Sequence, residues 1–389
     1  MATWLLPDNL ADILPHQARI LESMRRKSLN LYASHGFEAV EPPMLEFVAS
    51  LLTGSGTDVE NNTFKFMDQA GGRMVGLRAD VTPQIARIDA HILNSTGVSR
   101  LCYATTCLHA RPMHPLASRE PFVAGAELFG CPGVEADQYM LRLAVTNLRE
   151  LGVKSVHVDV GHTGIVRALL KNCDLTADEL HAVIRALRMK DPTALAAASV
   201  KLPARVAEGL QTLLVEFGDA TCLEHLREKL PDSPEIARAL AEVERVAAAS
   251  GADETSFDFC DVHGYQYLTG VTFSVNIPQY AQAVLRGGRY DGVGLAYGRA
   301  RPACGFTVYL RELASVFASD TAALPEAVAA GAELSGPAYQ AVAEKLRASG
   351  RIVVHLLPGE KLADVEKRFK VTHQLVEGAE GIELKALAH

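Results

Sequence analysis

No C-x-x-C pair occurs among the seven cysteines (Cys102, Cys107, Cys131, Cys173, Cys222, Cys260 and Cys304), which are odd in number and widely scattered. Neither a disulfide framework nor a cysteine-based zinc site is indicated, and the thiols read as buried groups in a reducing cytosol. Basic residues are not in excess: 38 lysines and arginines stand against 46 aspartates and glutamates, a net charge of −8. Such a balance favours solubility and disfavours long, non-specific contact with nucleic acid, although it leaves room for a local basic groove. Nowhere do about 18 apolar residues run together, and MATWLLPDNLADILP lacks a basic stretch followed by a long apolar one. A cytoplasmic protein with no membrane span and no export signal is therefore expected. Aromatic residues make up 6% and tryptophan occurs once, which is low yet enough for several cores. There is no G-x-S-x-G, P-loop, G-x-G-x-x-G or H-E-x-x-H, no internal repeat and no low-complexity tract.

What is present suits two or three folded units, since 389 residues are available and a domain takes roughly 100 to 200. Ile20, Leu21, Met24, Leu31 and Tyr32 recur at near-helical spacing, so residues 16–34 are predicted to form an amphipathic helix ended by Gly36. FEAVEPPML reads as a short strand stopped by Pro42 and Pro43, which cannot donate to a ladder. GRMVGLRADVTPQIARIDAHIL reads strand, turn and helix; RLCYATTCLHARP, EPFVAGAELFG and SVHVDVGH read as strands, and ADQYMLRLAVTNLREL as a helix.

From 163 to 252 apolar residues fall at helical spacing in Ala-, Leu- and Arg-rich stretches, with a capping-box pattern at Thr176 and Glu179. Strand signals resume in VTFSVN, where Val271, Phe273 and Val275 alternate with Thr272, Ser274 and Asn276, and continue in QAVLRGG and ACGFTVYL. The predicted fold class is α+β. An antiparallel sheet flanked by helices occupies 1–318, with 163–252 as a helical insertion. An Ala-rich link (TAALPEAVAAGAELSG) then leads into a small αβ unit at 319–389, with RIVVHLL and KVTHQLV as its strands.

Three constellations carry polar chemistry. RGGRYDG (286–292) offers Gly287 and Gly288 for close backbone approach to a ligand, with Arg289 and Tyr290 beside them, or else it is a hairpin turn. LRADVTPQ (77–84) places Asp80 and Thr82 two apart, either to bind an ammonium and a hydroxyl or as a turn with Thr82 as helix N-cap. Glu127 lies in an apolar strand between Ala126 and Leu128, where it needs a ligand amine or an internal salt bridge, or its pKa must shift. His109, His114 and His162 are not at metal-ligand spacing and read as surface or capping groups, so no metal and no cofactor is expected.

Taken in order, these segments resemble the class II histidyl-tRNA synthetase core over about residues 1–318. The matching stretches are LPDNLADILP, GFEAVEPPMLE as motif 1, GLRADVTPQIAR, CLHARPMHPLASREPFVAGAELFG around motif 2, HGYQYLTGVTF, RGGRYDG, and PACGFTVYLREL as motif 3. The resemblance implies a class II synthetase-like antiparallel sheet. It also implies a histidine pocket built from Asp80, Thr82, Glu127, Tyr267, Gly287, Gly288 and Tyr290.

The chain departs from that family where ATP would be handled. The synthetases stabilise the charge that develops on the α-phosphorus with arginines. Here His263 opens the stretch that begins with arginine in the family, Glu312 takes the motif-3 arginine position, and Leu108 or His109 takes the motif-2 one. Arg311 is one residue from the motif-3 position, about 100° away around a helix. Within the pocket a glutamine of the family becomes Val123 and a tyrosine becomes Leu268.

A synthetase core with a partly retained amino-acid pocket and no ATP arginines resembles the ATP phosphoribosyltransferase regulatory subunits. That resemblance implies a non-catalytic homodimeric core, allosteric control of the short-form catalytic subunit at the first step of histidine biosynthesis, and histidine as a candidate ligand. It implies no tRNA and no membrane partner. A working histidyl-tRNA synthetase and a free-standing histidine sensor are the alternatives.

Overall fold

The first helix, α1 (Pro15–Ser34), starts on a proline, whose missing N–H is no loss in a first turn, and ends just before Gly36, which takes a left-handed φ of 79°. It buries Leu21, Met24, Ser28 and Tyr32 along one stripe. In chain order there follow β1 (Glu38–Ala39), β2 (Leu45–Phe47), α2 (Val48–Leu51), α3 (Thr57–Asn62), β3 (Lys65–Met67), β4 (Met74–Leu77), α4 (Thr82–Arg87) and a π-helical turn at Ile88–Leu93. Next come β5 (Ser99–Thr106), β6 (Phe122–Phe129), α5 (Val134–Glu150) and β7 (His157–His162). Six helices fill the next ninety residues or so: α6 (Thr163–Leu170), α7 (Ala177–Arg188), α8 (Pro192–Ala198), α9 (Ala204–Val215), α10 (Thr221–Lys229) and α11 (Pro234–Ala248). Then β8 (Glu254–Phe257), β9 (Val271–Ile277), β10 (Tyr280–Arg289), β11 (Ala303–Tyr309) and α12 (Leu310–Ala318) close this part. The computed structural model describes residues 4–54, 56–318, 324–379 and 381–387, and the chain divides into two units, Met1–Phe317 and Ala318–His389.

The main sheet of the first unit has eight strands in the order β1-β5-β6-β11-β10-β9-β7-β8. Its six central strands are antiparallel, as expected, but both edges pair in parallel, β1 with β5 and β7 with β8. Each edge strand is reached by a crossover, which a hairpin pattern in the sequence does not reveal. A separate three-stranded sheet has the order β2-β4-β3.

Cross-strand partners share a face, so register sorts the side chains. One face presents Val271, Phe273 and Val275 of β9, Phe306 of β11 and Ala124 and Ala126 of β6, all members of the main core, against which α1, α5 and α11 pack. The insertion belongs to this same core through Leu187, Leu210, Leu213, Leu240 and Val243. The capping box at Thr176 and Glu179 is present at the start of α7. The opposite face carries Thr272 and Ser274, Arg286 and Gly288, Gly305 and Thr307, and Glu127. The polar half of the β9 alternation is thus not solvated, because Thr272 and Ser274 are buried beneath a cavity.

The second unit holds β12 (Glu326–Ala330), α13 (Gly336–Ala348), β13 (Ile352–His355), α14 (Leu362–Glu366), β14 (Lys370–Gly378) and β15 (Gly381–Ala386), with sheet order β13-β12-β14-β15. Here the sequence expectation fails in one place. The stretch EAVAA, read as part of an Ala-rich link, is the central strand, parallel to both neighbours. Alanine has little strand preference, and only the burial of Ala327, Val328, Ala329 and Ala330 between two strands makes the segment extended. Residues 319–323 of that link lie outside the described residues.

Candidate functional site

A cavity of about 750 Å³ lies on the polar face of the main sheet, and Asp80, Thr82, Glu127, Tyr267, Gly287, Gly288 and Tyr290 all line it. At its floor one row of the sheet reads Gly288, Gly305, Glu127. A Cβ at Gly305 would overlap the Glu127 carboxylate, and one at Gly288 would lie 2.7 Å from Val271 O, so the hollow beside Glu127 exists because both are glycines. Gly287 and Gly288 do not form the turn considered from the sequence, since both are inside β10. Gly287 pairs with Phe273 and Phe306 and makes room for the Phe273 ring on the core side; only Gly288 turns its Cα hydrogens to the cavity face.

Glu127 is 1% exposed and pairs with no cation among the described residues, so the salt bridge considered for it is not formed. Its carboxylate accepts from Thr82 Oγ1 at 2.9 Å, from the Tyr103 hydroxyl at 3.4 Å and, on the other oxygen, from the Tyr290 hydroxyl. Burial pushes the carboxyl up to about 8; the hydroxyls of Tyr290 and Thr82 oppose this and the charge of Asp80 adds to it. Burial likewise raises Asp80, against the hydrogen bonds it accepts locally. Asp80 takes the backbone N–H of Thr82 at 3.2 Å. Thr82 is the first residue of α4 rather than its N-cap, which is Val81, and its hydroxyl donates to Glu127.

His109 is buried in the cavity wall, contrary to the surface reading. Its Nε2 lies 3.0 Å from Ala79 O, and because a carbonyl only accepts, the ring proton sits on Nε2. Nδ1 is left as a buried acceptor without a partner. Burial lowers the pKa of this imidazole, which is neutral at pH 7. His162, by contrast, caps α6 by accepting from Gly164 N, as a capping histidine should, and its Nε2 meets Glu242 at 3.0 Å; His114 reaches the Tyr280 hydroxyl at 3.1 Å.

Of the three positions where the family resemblance leads one to look for arginine, His109 and His263 line the cavity and Glu312 does not. His263 Nδ1 contacts Asp261, which also receives Arg286 at 2.6 Å. Against the upward push of burial, His263 and Arg286 hold the Asp261 carboxyl well below the usual range. Burial raises Glu312, whose Oε2 has no partner. Arg311 is committed to Glu120 and to Ala11 O. Arg289 faces the other side of the sheet, where it forms a buried pair with Asp137 at 3.0 Å and is scaffold rather than site.

Sequence reasoning missed Gly305, Arg286 and one face of α7. Ala177, Leu180, His181, Ile184, Arg185 and Arg188 all line the cavity, and their spacing is that of a single helical stripe. That spacing was visible; nothing local said that the stripe would overhang a pocket built by strands far away in sequence. Among the described residues no group of three or more metal-ligating side chains is assembled, and no helix is long and apolar enough to cross a membrane. All seven cysteines are free, five buried and Cys131 and Cys173 half-buried.

A mostly antiparallel sheet with helices on one face, a polar cavity on the other and a helical insertion over it is the arrangement of the class II aminoacyl-tRNA synthetase fold. A family model described as histidyl-tRNA synthetase matches residues 9–313. A crystal structure from Bacillus halodurans C, described as an ATP phosphoribosyltransferase regulatory subunit/histidyl-tRNA synthetase, superposes with a TM-score of 0.81 at 24% identity, covering 95% of this chain and 98% of that one. Histidyl-tRNA synthetase from Nostoc sp. PCC 7120 superposes with a TM-score of 0.77 at 17% identity, covering 98% and 93%. Among curated proteins, the ATP phosphoribosyltransferase regulatory subunit of Ralstonia pickettii is 44% identical over 376 residues, 96% of this chain and 95% of the relative. That of Paraburkholderia phymatum is 44% identical over 359 residues, 92% and 93% respectively. The chain belongs to the histidyl-tRNA synthetase-like family of ATP phosphoribosyltransferase regulatory subunits.

Proposed function

We propose that the chain is the non-catalytic regulatory partner of a short-form ATP phosphoribosyltransferase catalytic subunit at the first step of histidine biosynthesis. The observation that carries the reading is the 44% identity over 96% of the chain to a protein named as that regulatory subunit. The site supports it. On the family resemblance, Leu108 or the neutral imidazole of His109, an imidazole at His263 and a carboxyl at Glu312 take the positions where an adenylating enzyme of this family presents arginines, and none of these side chains is a permanent cation. Within the core of residues 1–318, the cavity keeps two carboxylates, Asp80 and Glu127, with Thr82, Tyr267 and Tyr290 around them. Such a set suits a ligand with an ammonium and a hydrogen-bonding ring, and we assign histidine to it as the feedback ligand. No role for tRNA is assigned, since the EKLADVEKRFK segment of the small C-terminal unit is mixed in charge rather than basic. When the chain is added to a short-form catalytic subunit, phosphoribosyl transfer to ATP should rise and become sensitive to histidine; a rate indifferent to the chain overturns the reading.

The same reading includes a homodimeric core. Leu45 and Phe47 of β2 and Phe66 of β3 share one face of the three-stranded sheet that continues motif 1, and all three are at least 39% exposed. Apolar exposure of neighbouring side chains on one sheet face marks an interface. Light scattering at micromolar concentration is expected to give twice the chain mass, and Phe47→Glu together with Phe66→Glu should give the single mass. A monomer in the wild type removes the dimer from the proposal.

A further inference from the structure

The wall of the cavity that carries His109 is a loop with two sides. It joins β5 to β6, and Cys107, His109, Met113 and Pro121 line the cavity from it. Its base is closed by hydrogen bonds from Cys107 N to Pro121 O at 2.9 Å, from His109 N to Arg119 O at 2.7 Å and from Arg119 Nε to His109 O at 3.1 Å. Asn62, the last residue of α3, accepts from Ala110 N at 2.8 Å and from Arg111 N at 3.0 Å. Further along, Leu116, Ala117 and Ser118 do not line this cavity. They line a second hollow of about 270 Å³, which they share with residues 9–13 and Arg311.

On that second side the chain before α1 is fastened to the loop. Asn9 has a left-handed φ of 60°, which asparagine tolerates better than most residues. Its Nδ2 donates to Pro115 O at 2.9 Å and to Ala117 O at 3.2 Å, while its own carbonyl accepts from Arg119 N at 2.9 Å. Two residues on, Ala11 O accepts from Arg311 Nη2 at 2.7 Å, and Arg311 Nη1 donates to the backbone and carboxylate oxygens of Glu120 at 2.9 and 3.1 Å. One guanidinium on α12 therefore grips both this segment and the returning end of the loop. This is the arginine that stands one residue from the motif-3 position, and about 100° of rotation around the helix separates the two directions. The attachment is mainly polar, because Leu5, Leu6 and Leu116 stay at least 52% exposed. Segments with so little buried apolar contact open at low cost in free energy.

We propose that residues 9–11 form a strap, anchored on α12 by Arg311 and clipped to the loop by Asn9, which holds the loop in place as a wall of the cavity, so that strap attachment and cavity occupancy are linked. A ligand in the cavity meets the loop through His109 and Met113, and release of the strap frees the other side of the same loop. If attachment favours the ligand, the ligand must favour attachment by the same factor. The one-residue shift that removes an arginine from the motif-3 position thereby supplies the anchor of the strap. The ligand half of this inference rests on the histidine assignment made above; the strap itself does not.

Hydrogen exchange of the full chain, read by mass spectrometry, tests the strap without any ligand. Asn9→Gly keeps the left-handed backbone and removes only the amide, and Arg311→Ala removes the anchor. In each variant exchange across residues 110–119 should quicken about tenfold, while that of β9 stays at the wild-type rate and shows that the fold is kept. Asn94→Gly, at an exposed left-handed asparagine that does not line the cavity, should change neither. Loop exchange at the wild-type rate in both strap variants overturns the strap. Histidine titrated calorimetrically tests the link: Asn9→Gly should weaken binding about fivefold, and saturating histidine should slow loop exchange in the wild type and much less in the variant. Quickened loop exchange with undiminished histidine affinity overturns the link. A wild type that gives neither heat nor protection with histidine removes the histidine assignment instead, and the ligand-free exchange still decides the strap.

Discussion

Given ATP, magnesium and histidine, the purified chain should show pyrophosphate exchange at background. Adenylation requires donors aimed at the developing charge on the α-phosphorus, and each such contact contributes roughly 3 kcal/mol. At the motif-2 arginine position, read as Leu108 or His109, neither side chain supplies a cation: leucine is apolar, and His109 spends its one proton on Ala79 O and offers only an acceptor. At the motif-3 position, Glu312 does not line the cavity, and the nearby Arg311 is bound to Glu120 and Ala11. His263 lines the cavity but is held by Asp261. Three missing contacts amount to about 9 kcal/mol, or some six orders of magnitude in rate. His263→Arg alone should stay at background as well, because the other two positions fail independently. Exchange that depends on histidine and exceeds background would show that another donor set does the work.

How far the site was legible in the sequence depended on whether a residue's partners were local. α1, α5, the capping box at Thr176 and the strands β5, β6, β9 and β11 follow from periodicity, because each buries one face in a pattern of fixed spacing. Asp80, Thr82, Glu127 and Tyr290 were identifiable as a group through family motifs. Their mutual hydrogen bonds were not, since Glu127 and Tyr290 are 163 residues apart. His109 looked like a surface group because nothing in its neighbourhood shows that the loop carrying it folds under Ala79. Gly287 and Gly288 looked like a turn because adjacent glycines usually make one, whereas here strand proximity to Phe273 and Val271 demands them. β12 was hidden for the reverse reason: its alanines have no strong preference, and two parallel neighbours decide the matter.

The α7 stripe shows the same limit from the functional side. Its residues satisfy every local requirement of an amphipathic helix with basic groups at its C-terminal end, and Val183 and Leu187 bury the other side in the core. Only the packing of the insertion into the core of the sheet places Arg185 and Arg188 on a cavity whose floor comes from β6, β10 and β11. A basic helical face turned to solvent and one turned to a cavity have one sequence pattern, and tertiary structure distinguishes them.

Glu127→Gln should stabilise the folded chain at about pH 9 and change little at about pH 5. In the folded state burial keeps this carboxyl protonated up to about 8, from an ordinary value of 4.5. Between those values the native chain binds one proton more than the unfolded chain, so stability falls as pH rises. The contribution is complete below the unfolded pKa of 4.5 and is lost as pH passes the folded value of about 8. At about 1.4 kcal/mol per unit the full difference is about 5 kcal/mol, an upper bound because water in the open cavity shields the ionised form. Asp80 is raised in the same direction and Tyr103 and Tyr290 face the same carboxyl, so the wild-type slope alone does not isolate Glu127. The difference between wild type and Glu127→Gln in urea unfolding, taken at both ends of the range, does. Parallel pH profiles for the two proteins would place the titrating group elsewhere. A ligand ammonium or imidazolium at Glu127 must reverse the balance by drawing the carboxyl into its ionised form, so binding below about pH 8 should release a proton and tighten as pH rises. Histidine titrations in two buffers of different ionisation heat count that proton. In Glu127→Gln the count should fall, leaving only what Asp80 releases, and the affinity should fall by at least tenfold, because the variant keeps the shape of the pocket and loses a charge that the ligand needs.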